Sequence, residues 1–379
     1  MTRVLVVVNE PPWPVINGGR ARIAGVVDAL AGRHEVMVVA PSHPRLRGTG
    51  TDLGAVEMRQ LQPSRARLTR TLAGQPLLTA ALLDRRNYRQ LRALSREFRP
   101  DAALVTHSYL APKLELGVPL VVDFPNLETH RQRSLSQAGG RRAWVHRAEA
   151  AKARRWEPAV ARRAALCLAV SESEERELQL MGAMKTLVVP NVVDPPTGEP
   201  GLSPADGFAL FVGAAGYAPN AAALAWVMKE IWPAVRARRP EAQLVIAGPG
   251  TEAVVLQAQA TDLRNVTCLD LVEDLSQLYA QAAVVLAPVR TGGGTQLKVL
   301  SALSHRRVLV ATSHSATSVP AGLGAAVLVA DDPAEFARAI CNALEDVDSR
   351  HARERSLAAS PLPTWQTVVE PLCSWLEKF

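Results

Sequence analysis

The chain has 379 residues, of which 48% are hydrophobic and 21% are charged. This length suits two domains of about 150–200 residues each, and the composition excludes a largely disordered protein. No apolar run approaches the roughly 18–20 residues of a membrane span, and the first residues lack the order of regions found in a signal peptide. We therefore expect a cytoplasmic protein.

Arginines in residues 59–99 and 131–163 supply much of the formal net charge of +7. Aromatic residues make up 4% of the chain and are not interleaved with these arginines, which disfavours nucleic acid as a partner. Two interpretations stay open. The arginines either cover solvated helix faces, or they give the N-terminal domain a peripheral contact with an anionic membrane.

The first half of the chain alternates short apolar strands with helical patterns. Val4–Val8 is a continuous aliphatic run, typical of a strand that is buried on both faces. A loop rich in Pro and Gly follows, and then one helical stripe made by Ile23, Val26, Val27 and Leu30. Further strands are predicted at Glu35–Ala40, Ala102–Thr106, Leu120–Asp123 and Leu166–Val170. Ser171 and Glu174 mark the capped start of another helix.

The same pattern restarts in the second half. Strands are predicted at Phe208–Gly213, Gln243–Gly248, Val266–Leu269, Ala283–Pro288, Val308–Thr312 and Ala326–Ala330. Between the halves, residues 190–205 contain five prolines and two glycines, which is a linker composition. The alternation predicts an α/β protein with two doubly wound, Rossmann-like parallel-sheet domains facing across a cleft. We set these domains at residues 1–190 and 191–362.

The segment Thr291–Lys298 reads Thr-Gly-Gly-Gly-Thr-Gln-Leu-Lys and lies between a predicted strand and a helix that starts near Thr295. Its three glycines let the backbone turn tightly and approach a ligand. The free N–H groups and the positive dipole end of a helix start suit a phosphate, to which Lys298 adds a full charge. The spacing is not that of a Walker A loop. We favour an anion cradle over a flexible turn.

Gly18 and Gly19, with Arg20 and Arg22, follow the first predicted strand. Their position matches the phosphate-facing turn of a nucleotide-binding domain, although the GxGxxG spacing is absent. A plain loop explains the pattern equally well.

Polar residues also follow two other strands of the first half. Asp123, Asn126 and Glu128 come after strand 120–123 and are candidates for binding sugar or acceptor hydroxyl groups; an Asx-turn with a helix cap is the equal alternative. His107 follows strand 102–106 and is either a general base or a satisfied polar residue. No cluster of His, Cys, Asp or Glu has metal-ligand spacing, so no metal site is predicted.

Several segments, in order along nearly the whole chain, resemble the GT-B glycosyltransferases of family four. The similar segments are Pro11–Pro14 with Gly18–Gly19, Val188–Asp194, Phe211–Gly213 with Pro219, Asn220 and Trp232-Pro233, and the donor loop within Val289–Ala302. Each is modest alone, but their order and spacing together are specific.

The resemblance implies a retaining transferase that binds a nucleotide-diphosphate sugar in its second domain and an acceptor over its first, with no metal and no other cofactor. Donor-binding residues would be Gly18, Gly19, Gly213, Gly292, Gly293, Gly294, Thr295, Gln296, Leu297, Lys298 and Ser301. Arg22, Asp123, Asn126 and His130 would lie on the acceptor side, and Lys298, His107 and Glu128 would be catalytic. The terminal helix, residues 363–379, would cross back onto the first domain. We expect a small-molecule acceptor of bacterial glycoconjugate or natural-product biosynthesis.

The chain departs from the family pattern at four places, one of which is the segment Ala214–Tyr217, where the family's basic pair is missing. The family's two donor-loop glutamates are replaced by Gly293 and Ser301, and its histidine near the acceptor is replaced by Pro125. Three functions therefore stay open. An active retaining transferase is favoured over a catalytically impaired GT-B protein that acts as partner or activator of another enzyme, and over a different GT-B chemistry such as epimerisation of a sugar nucleotide.

Overall fold

The computed structural model divides into two compact units, which are Met1–Val192 with Pro363–Phe379 and Val193–Leu362. The described residues are 1–15, 18–41, 56–62, 76–137, 143–193, 196, 198–258, 263–272, 274–292, 294–360 and 362–379. The first break falls two residues beyond the predicted boundary at 190.

The first unit is built on a parallel sheet. Its strands are β1 (Arg3–Val7), β2 (Glu35–Ala40), β3 (Val56–Gln60), β4 (Ala102–Thr106), β5 (Leu120–Phe124), β6 (Leu166–Ala169) and β7 (Thr186–Val188). They lie in the order β3-β2-β1-β4-β5-β6-β7, with Val4 of β1 opposite Val36 on one side and Ala102 on the other. The central strands are buried on both faces because helices cover both sides of a parallel sheet.

Helices of the first unit cover the two faces of this sheet. They are α1 (Gly18–Ala31), α2 (Leu77–Leu82), α3 (Arg85–Phe98), α4 (Glu128–Gln137), α5 (Ala143–Arg163) and α6 (Glu172–Leu180). Side chains of a strand alternate between faces, so Val4 and Val6 pack with α1 while Leu5 and Val7 pack with α3 and α5. Ser171 caps α6 as predicted, its hydroxyl accepting from the Glu174 amide.

The second unit repeats the architecture. Its strands are β8 (Phe208–Val212), β9 (Leu244–Ala247), β10 (Val266–Leu269), β11 (Ala282–Ala287), β12 (Val308–Ala311) and β13 (Val327–Val329). The sheet is parallel, in the order β10-β9-β8-β11-β12-β13. The predicted α/β class with two doubly wound parallel sheets is confirmed.

Helices of the second unit alternate with these strands. They are α7 (Ala218–Trp226), a π-helical turn (Val227–Ile231), α8 (Trp232–Arg238), α9 (Thr251–Gln257), α10 (Ser276–Gln281), α11 (Leu297–Ser304), α12 (Ser313–Ala316), α13 (Pro333–Glu345) and α14 (Val347–Ala358). Hydrophobic clusters on each side of the sheet form the core. None of the described helices is both long and apolar enough to cross a membrane.

The final helix, α15 (Trp365–Leu376), belongs to the first unit. Its apolar side chains join the core cluster of α1 and β1, and the Trp365 indole packs directly on Gly25. Any side chain at Gly25 would occupy the space of that indole, so the glycine permits the close approach of α1 and α15.

Candidate functional site

In both sheets the strand order reverses beside the first strand of the unit. β1 lies between β2 and β4, and β8 lies between β9 and β11. Chain crossovers leave such a position in opposite directions, so a crevice opens at the carboxyl edge of the two central strands. The predicted site residues divide between these two edges, and each edge is described within its own unit.

The glycine-bearing loop of the second unit runs from β11 to α11. Gly292 has a φ of 135° and Gly294 a φ of 77°, a region of backbone space that favours glycine. A Cβ on Gly292 would lie 3.0 Å from the Tyr217 hydroxyl, so the backbone passes close to the loop that follows β8. Gly293 lies outside the described residues.

The helix after this loop begins at Leu297, two residues later than predicted. Thr295 therefore lies in the loop and Gln296 is the N-cap. Gln296 is held inside the protein, because its amide N–H donates to Ser318 Oγ at 2.9 Å and its side-chain oxygen accepts from Ser315 Oγ at 3.1 Å. In the first turn of α11 the Val299 amide donates to the Gln296 carbonyl at 2.9 Å, and the positive end of the helix dipole lies there.

Lys298 stands in the first turn of α11. Its Nζ donates to Asn220 Oδ1 at 2.7 Å and lies 4.6 Å from the ring centre of Phe211. No carboxylate pairs with this ammonium group among the described residues. Burial lowers the pKa of Lys298 to about 7. An anionic ligand would supply the missing countercharge and raise this pKa again.

Backbone forms much of the remaining wall at this edge. Gly248, at the end of β9, has a φ of 145°, and a Cβ there would lie 2.4 Å from the Gly213 carbonyl oxygen. Asn220 packs on Gly213 and also donates from Nδ2 to the Ala214 carbonyl at 3.1 Å. The ends of β8 and β9 and the start of α7 thus hold Asn220 in place.

Ser301, one turn further along α11, packs within the protein. It lies near the buried Tyr279, whose pKa is raised by burial and lowered by Ser301. The Tyr279 ring stacks on His305 with 4.6 Å between ring centres, and His305 Nδ1 lies 2.8 Å from the Ser301 carbonyl oxygen. This packing occupies the side chain that the resemblance assigned to the donor ribose.

Arg22 and Asp123 form a buried ion pair at the edge of the first sheet. Arg22 Nη2 lies 2.6 Å from Asp123 Oδ1, and Arg22 Nε lies 2.8 Å from Asp123 Oδ2. Arg22 Nη1 also donates to the Val189 carbonyl and to Asn191 Oδ1, each at 2.9 Å. The two predicted acceptor-side residues thus join α1, β5 and the segment after β7, a structural role that the sequence did not predict.

Gly18 and Gly19 are the first two residues of α1 rather than part of the preceding loop. They remain at the carboxyl edge of the first sheet, where a helix N-terminus suits an anion. Arg20 is buried, donating to Glu10 Oε2 at 2.7 Å and to the Pro14 carbonyl at 3.1 Å. It therefore holds the Pro-rich loop against α1.

His107 follows β4 with a φ of 103°, which is uncommon for any residue other than glycine. Its amide donates to the Asp123 carbonyl at 3.0 Å, and its Nδ1 bonds to the Thr106 carbonyl. Because a carbonyl only accepts, this bond assigns the proton to Nδ1 and leaves a lone pair on Nε2. Burial lowers the pKa of His107 and favours this neutral form.

Glu128 is the first residue of α4 and is buried. Its Oε2 accepts from Arg131 and from Gln132, each at 3.2 Å. The N-terminus of α4 is capped by Glu157 of α5, which accepts from the amides of Glu128 at 2.6 Å and Thr129 at 3.0 Å. Burial raises the pKa of Glu157 to about 7. The helix cap that the sequence suggested is thus real, but a different residue supplies it.

The two remaining predicted acceptor-side residues lie nearby. Asn126 is half-buried in the loop between β5 and α4. His130 is more exposed, and its Nε2 lies 3.1 Å from Glu177 Oε2 on α6.

A cavity of about 160 Å³ opens beside Glu128 in the first unit. Its walls are Pro76, Leu77, Tyr109, Glu128, Arg131, Gln132, Leu135, Val145, His146, Glu149, Ala153 and Trp156. A cavity of about 150 Å³ accommodates one benzene-sized ring. The ring of Trp156 forms part of the wall, and its Nε1 is buried without a hydrogen-bond partner in the part of the chain that the structure describes.

The sequence did not single out Asn220, Tyr109 or Glu157 as site residues. Tyr109 lies just beyond the carboxyl end of β4, and Asn220 lies in the first turn of α7, the helix that follows β8. A position after a central strand is the signal that could have found both. Glu157 carries no such signal because it reaches the site from the middle of α5. Within the described ranges, no group of three or more His, Cys, Asp or Glu is placed to hold a metal ion.

Two family models match successive parts of the chain. The model described as Glycosyltransferase Family 4 matches residues 16–196, and the model described as Glycosyl transferases group 1 matches residues 207–346. The chain belongs to the GT-B glycosyltransferases of the family 4 type. One match falls on each unit of this glycosyltransferase, as the resemblance predicted.

Solved structures with the same fold cover this glycosyltransferase from end to end. Sucrose-phosphate synthase from Thermosynechococcus elongatus has a TM-score of 0.69 at 16% identity, covering 100% of this chain and 99% of that one. HepE from Anabaena, in complex with UDP and glucose, has a TM-score of 0.66 at 15% identity, with 100% of both chains covered. WaaG, a glycosyltransferase involved in lipopolysaccharide biosynthesis, has a TM-score of 0.65 at 14% identity, covering 98% and 99%.

Sequence similarity to a curated protein is more limited. An uncharacterized 44.6 kDa protein in the cps region of Klebsiella pneumoniae is 26% identical over 139 residues. This match spans 35% of the present chain and 36% of that relative's length.

Proposed function

We propose that the protein is a metal-independent, retaining glycosyltransferase that moves a sugar from a nucleotide-diphosphate donor to a small-molecule acceptor. The observation that carries this proposal is Lys298, a half-buried ammonium group at the start of α11 whose hydrogen-bond partner is the neutral Asn220. Related folds support the donor class, since HepE was solved with UDP and glucose and a trehalose-6-phosphate protein from E. coli with UDP-2-fluoro glucose. We place the reaction in bacterial glycoconjugate or natural-product biosynthesis, in the cytoplasm.

On the donor side, the reaction requires stabilisation of the leaving diphosphate. Negative charge grows on the diphosphate as the bond to the sugar breaks. The N–H groups at the start of α11 and the Lys298 ammonium group would face that charge as fixed donors, which lowers the barrier electrostatically. Half-burial of Lys298 strengthens the interaction, because a charge pair gains more energy where water is partly excluded.

On the acceptor side, the cavity of the first unit would hold one ring of a small acceptor. Its volume excludes a bulky group, and its walls combine apolar side chains with the Glu128 carboxylate. The lone pair on His107 Nε2 would accept a proton or a hydrogen bond from the acceptor hydroxyl. The Tyr109 ring connects the cavity with His107, since it lines the cavity and its centre lies 5.1 Å from that of the His107 ring.

A second candidate function is a catalytically impaired protein that acts as partner or activator of another enzyme. The observation that favours it is the position of Ser301 beside the buried Tyr279, because this serine stands where the family has a glutamate. A protein of this kind would fold as described and bind its partner without turning over a donor.

A thermal-shift screen against UDP, GDP, dTDP and ADP, followed by donor-turnover assays with and without acceptors, tests the proposal. We expect one diphosphate to raise the midpoint through preferential binding to the folded state, and its sugar conjugate to be consumed when an acceptor is present. The His107→Ala variant should lose turnover and keep the thermal shift. Stabilisation without any turnover would favour the impaired partner, and no shift with any nucleotide would overturn the donor site.

A further inference from the structure

Helix α3 carries a row of exposed arginines that points away from the sheet. Arg85, Arg89, Arg92 and Arg96 are spaced i, i+4, i+7 and i+11, and Arg99 follows at the C-cap. The buried residues of the same helix include Asn87, Leu91, Leu94 and Phe98, which is the same spacing displaced by two positions. Two positions correspond to about 200° around a helix, so the arginine row lies opposite the buried stripe.

These five side chains are not used inside the protein. Among the described residues, none of them has a hydrogen bond or an ion pair from its guanidinium group. The neighbouring Glu97 faces a different cation, with its Oε1 3.7 Å from Arg59 Nη2. Five exposed guanidinium groups on one helix repel one another, so an anionic partner would relieve this repulsion.

A second basic helix covers the same face of the sheet. Val160 and Ala161 of α5 belong to the same core cluster as Leu91 and Phe98 of α3. The exposed cations of α5 include Arg147, Arg154 and Arg155, whereas its glutamates, Glu149 and Glu157, are turned to partners within the protein. Two arginine-rich stretches that are far apart in the sequence therefore lie on one side of the first unit.

The opposite face of that sheet is different in charge. There α1 and α15 meet, and Arg33 of α1 pairs with both Glu370 and Glu377. The exposed arginines of α3 and α5 thus lie on the other side of the sheet, where Glu115 is the carboxylate beside Arg92, Arg96 and Arg99.

An exposed aromatic residue stands at the start of α5. Trp144 has 71% of its surface exposed, next to the arginines of that helix. Tryptophan is enriched where a protein meets the headgroup layer of a membrane, because its indole has an apolar body and a polar N–H. A single tryptophan offers little stacking to a run of bases, so the combination favours lipid over nucleic acid.

We propose that α3 and α5 form a docking surface for the anionic headgroups of a membrane. Its members, here called the basic face, are Arg85, Arg89, Arg92, Arg96, Arg99, Trp144, Arg147, Arg154 and Arg155. The apolar stripes of both helices are buried against the sheet, so the contact is electrostatic, with Trp144 as the group that enters the headgroup layer. This inference does not depend on the proposed transferase activity.

Co-sedimentation with vesicles of phosphatidylcholine, with and without phosphatidylglycerol, tests the basic face. Each arginine near an anionic surface contributes enough that replacing four should weaken binding by at least about a hundredfold. We therefore expect Arg85, Arg89, Arg92 and Arg96, all changed to Gln, to abolish sedimentation with the anionic vesicles. Added salt should do the same to the unmodified protein, because exposed charges are screened.

Two further variants make the result specific. Changing Lys229, Arg238, Arg338 and Arg355 to Gln removes the same charge from exposed positions of the second unit and should leave vesicle binding intact. Changing the four α3 arginines to Lys preserves the charge and should retain binding, which separates lost attraction from lost folding. Equal losses in both Gln variants would overturn the proposal by assigning binding to net charge alone. Tighter binding to a DNA duplex than to anionic vesicles at the same salt would also overturn it.

Discussion

In each unit of this glycosyltransferase a cation lies at the carboxyl edge of the sheet, and Arg22 of the first unit and Lys298 of the second have opposite surroundings. Arg22 in the first unit has a carboxylate, a carbonyl and an amide oxygen around it, and the pair with Asp123 is fully buried. Lys298 in the second unit has a neutral amide oxygen and an aromatic ring. The charge of Arg22 at the first edge is neutralised by a carboxylate, and within the described part of the chain the charge of Lys298 at the second edge is not.

This difference separates a structural cation from a binding cation. A buried charge with its countercharge in place holds secondary-structure elements together and has nothing to gain from a ligand. A half-buried charge without one keeps a lowered pKa, about 7 for Lys298, until an anion arrives. Similar sheets can therefore carry different functions at equivalent edges, and the distinction lies in the partner of a single side chain.

The largest expected effect comes from removing the countercharge of Arg22. Asp123→Asn leaves a buried guanidinium group unpaired, so the free energy of unfolding should fall by about 3–5 kcal/mol. Urea denaturation, followed through the unfolding transition of the first unit, measures this loss. Glu35→Gln is the matched control, because it breaks the exposed pair with Arg3 and should cost at most about 1 kcal/mol. Equal losses in the two variants would show that the buried pair is not special.

Removing the Lys298 ammonium group, which has no carboxylate partner among the described residues, should weaken ligand binding and leave folding unchanged. Lys298→Ala should reduce affinity for a nucleoside diphosphate by about 10- to 150-fold, since a hydrogen bond to a charged group contributes about 1.5–3 kcal/mol. Isothermal titration calorimetry gives the affinity. Lys229→Ala, at an exposed lysine of the same unit, should leave it unchanged. An affinity unaffected by Lys298→Ala would rule out the phosphate cradle.

Converting the second edge into a copy of the first would test the comparison itself. Asn220→Asp places a carboxylate 2.7 Å from the Lys298 ammonium position and should hold that lysine protonated. The ion pair would compete with the ligand, so diphosphate affinity should fall by about tenfold. The diphosphate affinity of Asn220→Asp should also no longer change with pH above about 7. Asn220→Ala should bind the diphosphate more weakly, and its affinity should still change with pH. If the Asp variant titrated like the unmodified protein, Asn220 would not control the lysine.

The smallest effect is expected at Ser301. Ser301→Glu restores the family residue and should tighten a ribonucleotide by less than about tenfold, the value of one hydrogen bond. The gain is limited because the longer side chain must fit beside the buried Tyr279. Ser301→Gln has the same length without the charge and should give part of the gain. Weaker binding in both variants would mean that the ribose lies elsewhere.

The sequence was informative where burial made the pattern simple. Strands in the middle of both sheets are continuous apolar runs, and their predicted bounds lie within one or two residues of the observed ones. β3 and β7, the edge strands of the first sheet, were missed, whereas the edge strands β10 and β13 of the second sheet were predicted. Charged residues interrupt the apolar pattern of β3, and β7 has only three residues. The start of α11 was placed two residues early, since the glycine-rich sequence alone does not say where Gln296 caps the helix.

The sequence predicted most helices and strands, but it did not predict which side chains pair with each other. The Arg22–Asp123 pair joins residues 101 positions apart, and the Lys298–Asn220 bond joins residues 78 positions apart. Local patterns identify each side chain as polar and place it after a strand, but they do not tell which polar groups neutralise each other. The sequence favoured a phosphate for Lys298 and left the acceptor roles of Arg22 and Asp123 level with a plain loop and an Asx-turn, but it could not show that Arg22 and Asp123 pair with each other.

Proton uptake on ligand binding tests the central contrast most directly. Calorimetric titration with UDP, in two buffers of different ionisation enthalpy and at a pH one unit above the Lys298 pKa of about 7, counts the protons taken up. The account predicts uptake of about one proton per bound diphosphate in the unmodified protein, because the anion recharges a largely neutral lysine, and almost none in Lys298→Arg. Binding of UDP without proton uptake in the unmodified protein would contradict it.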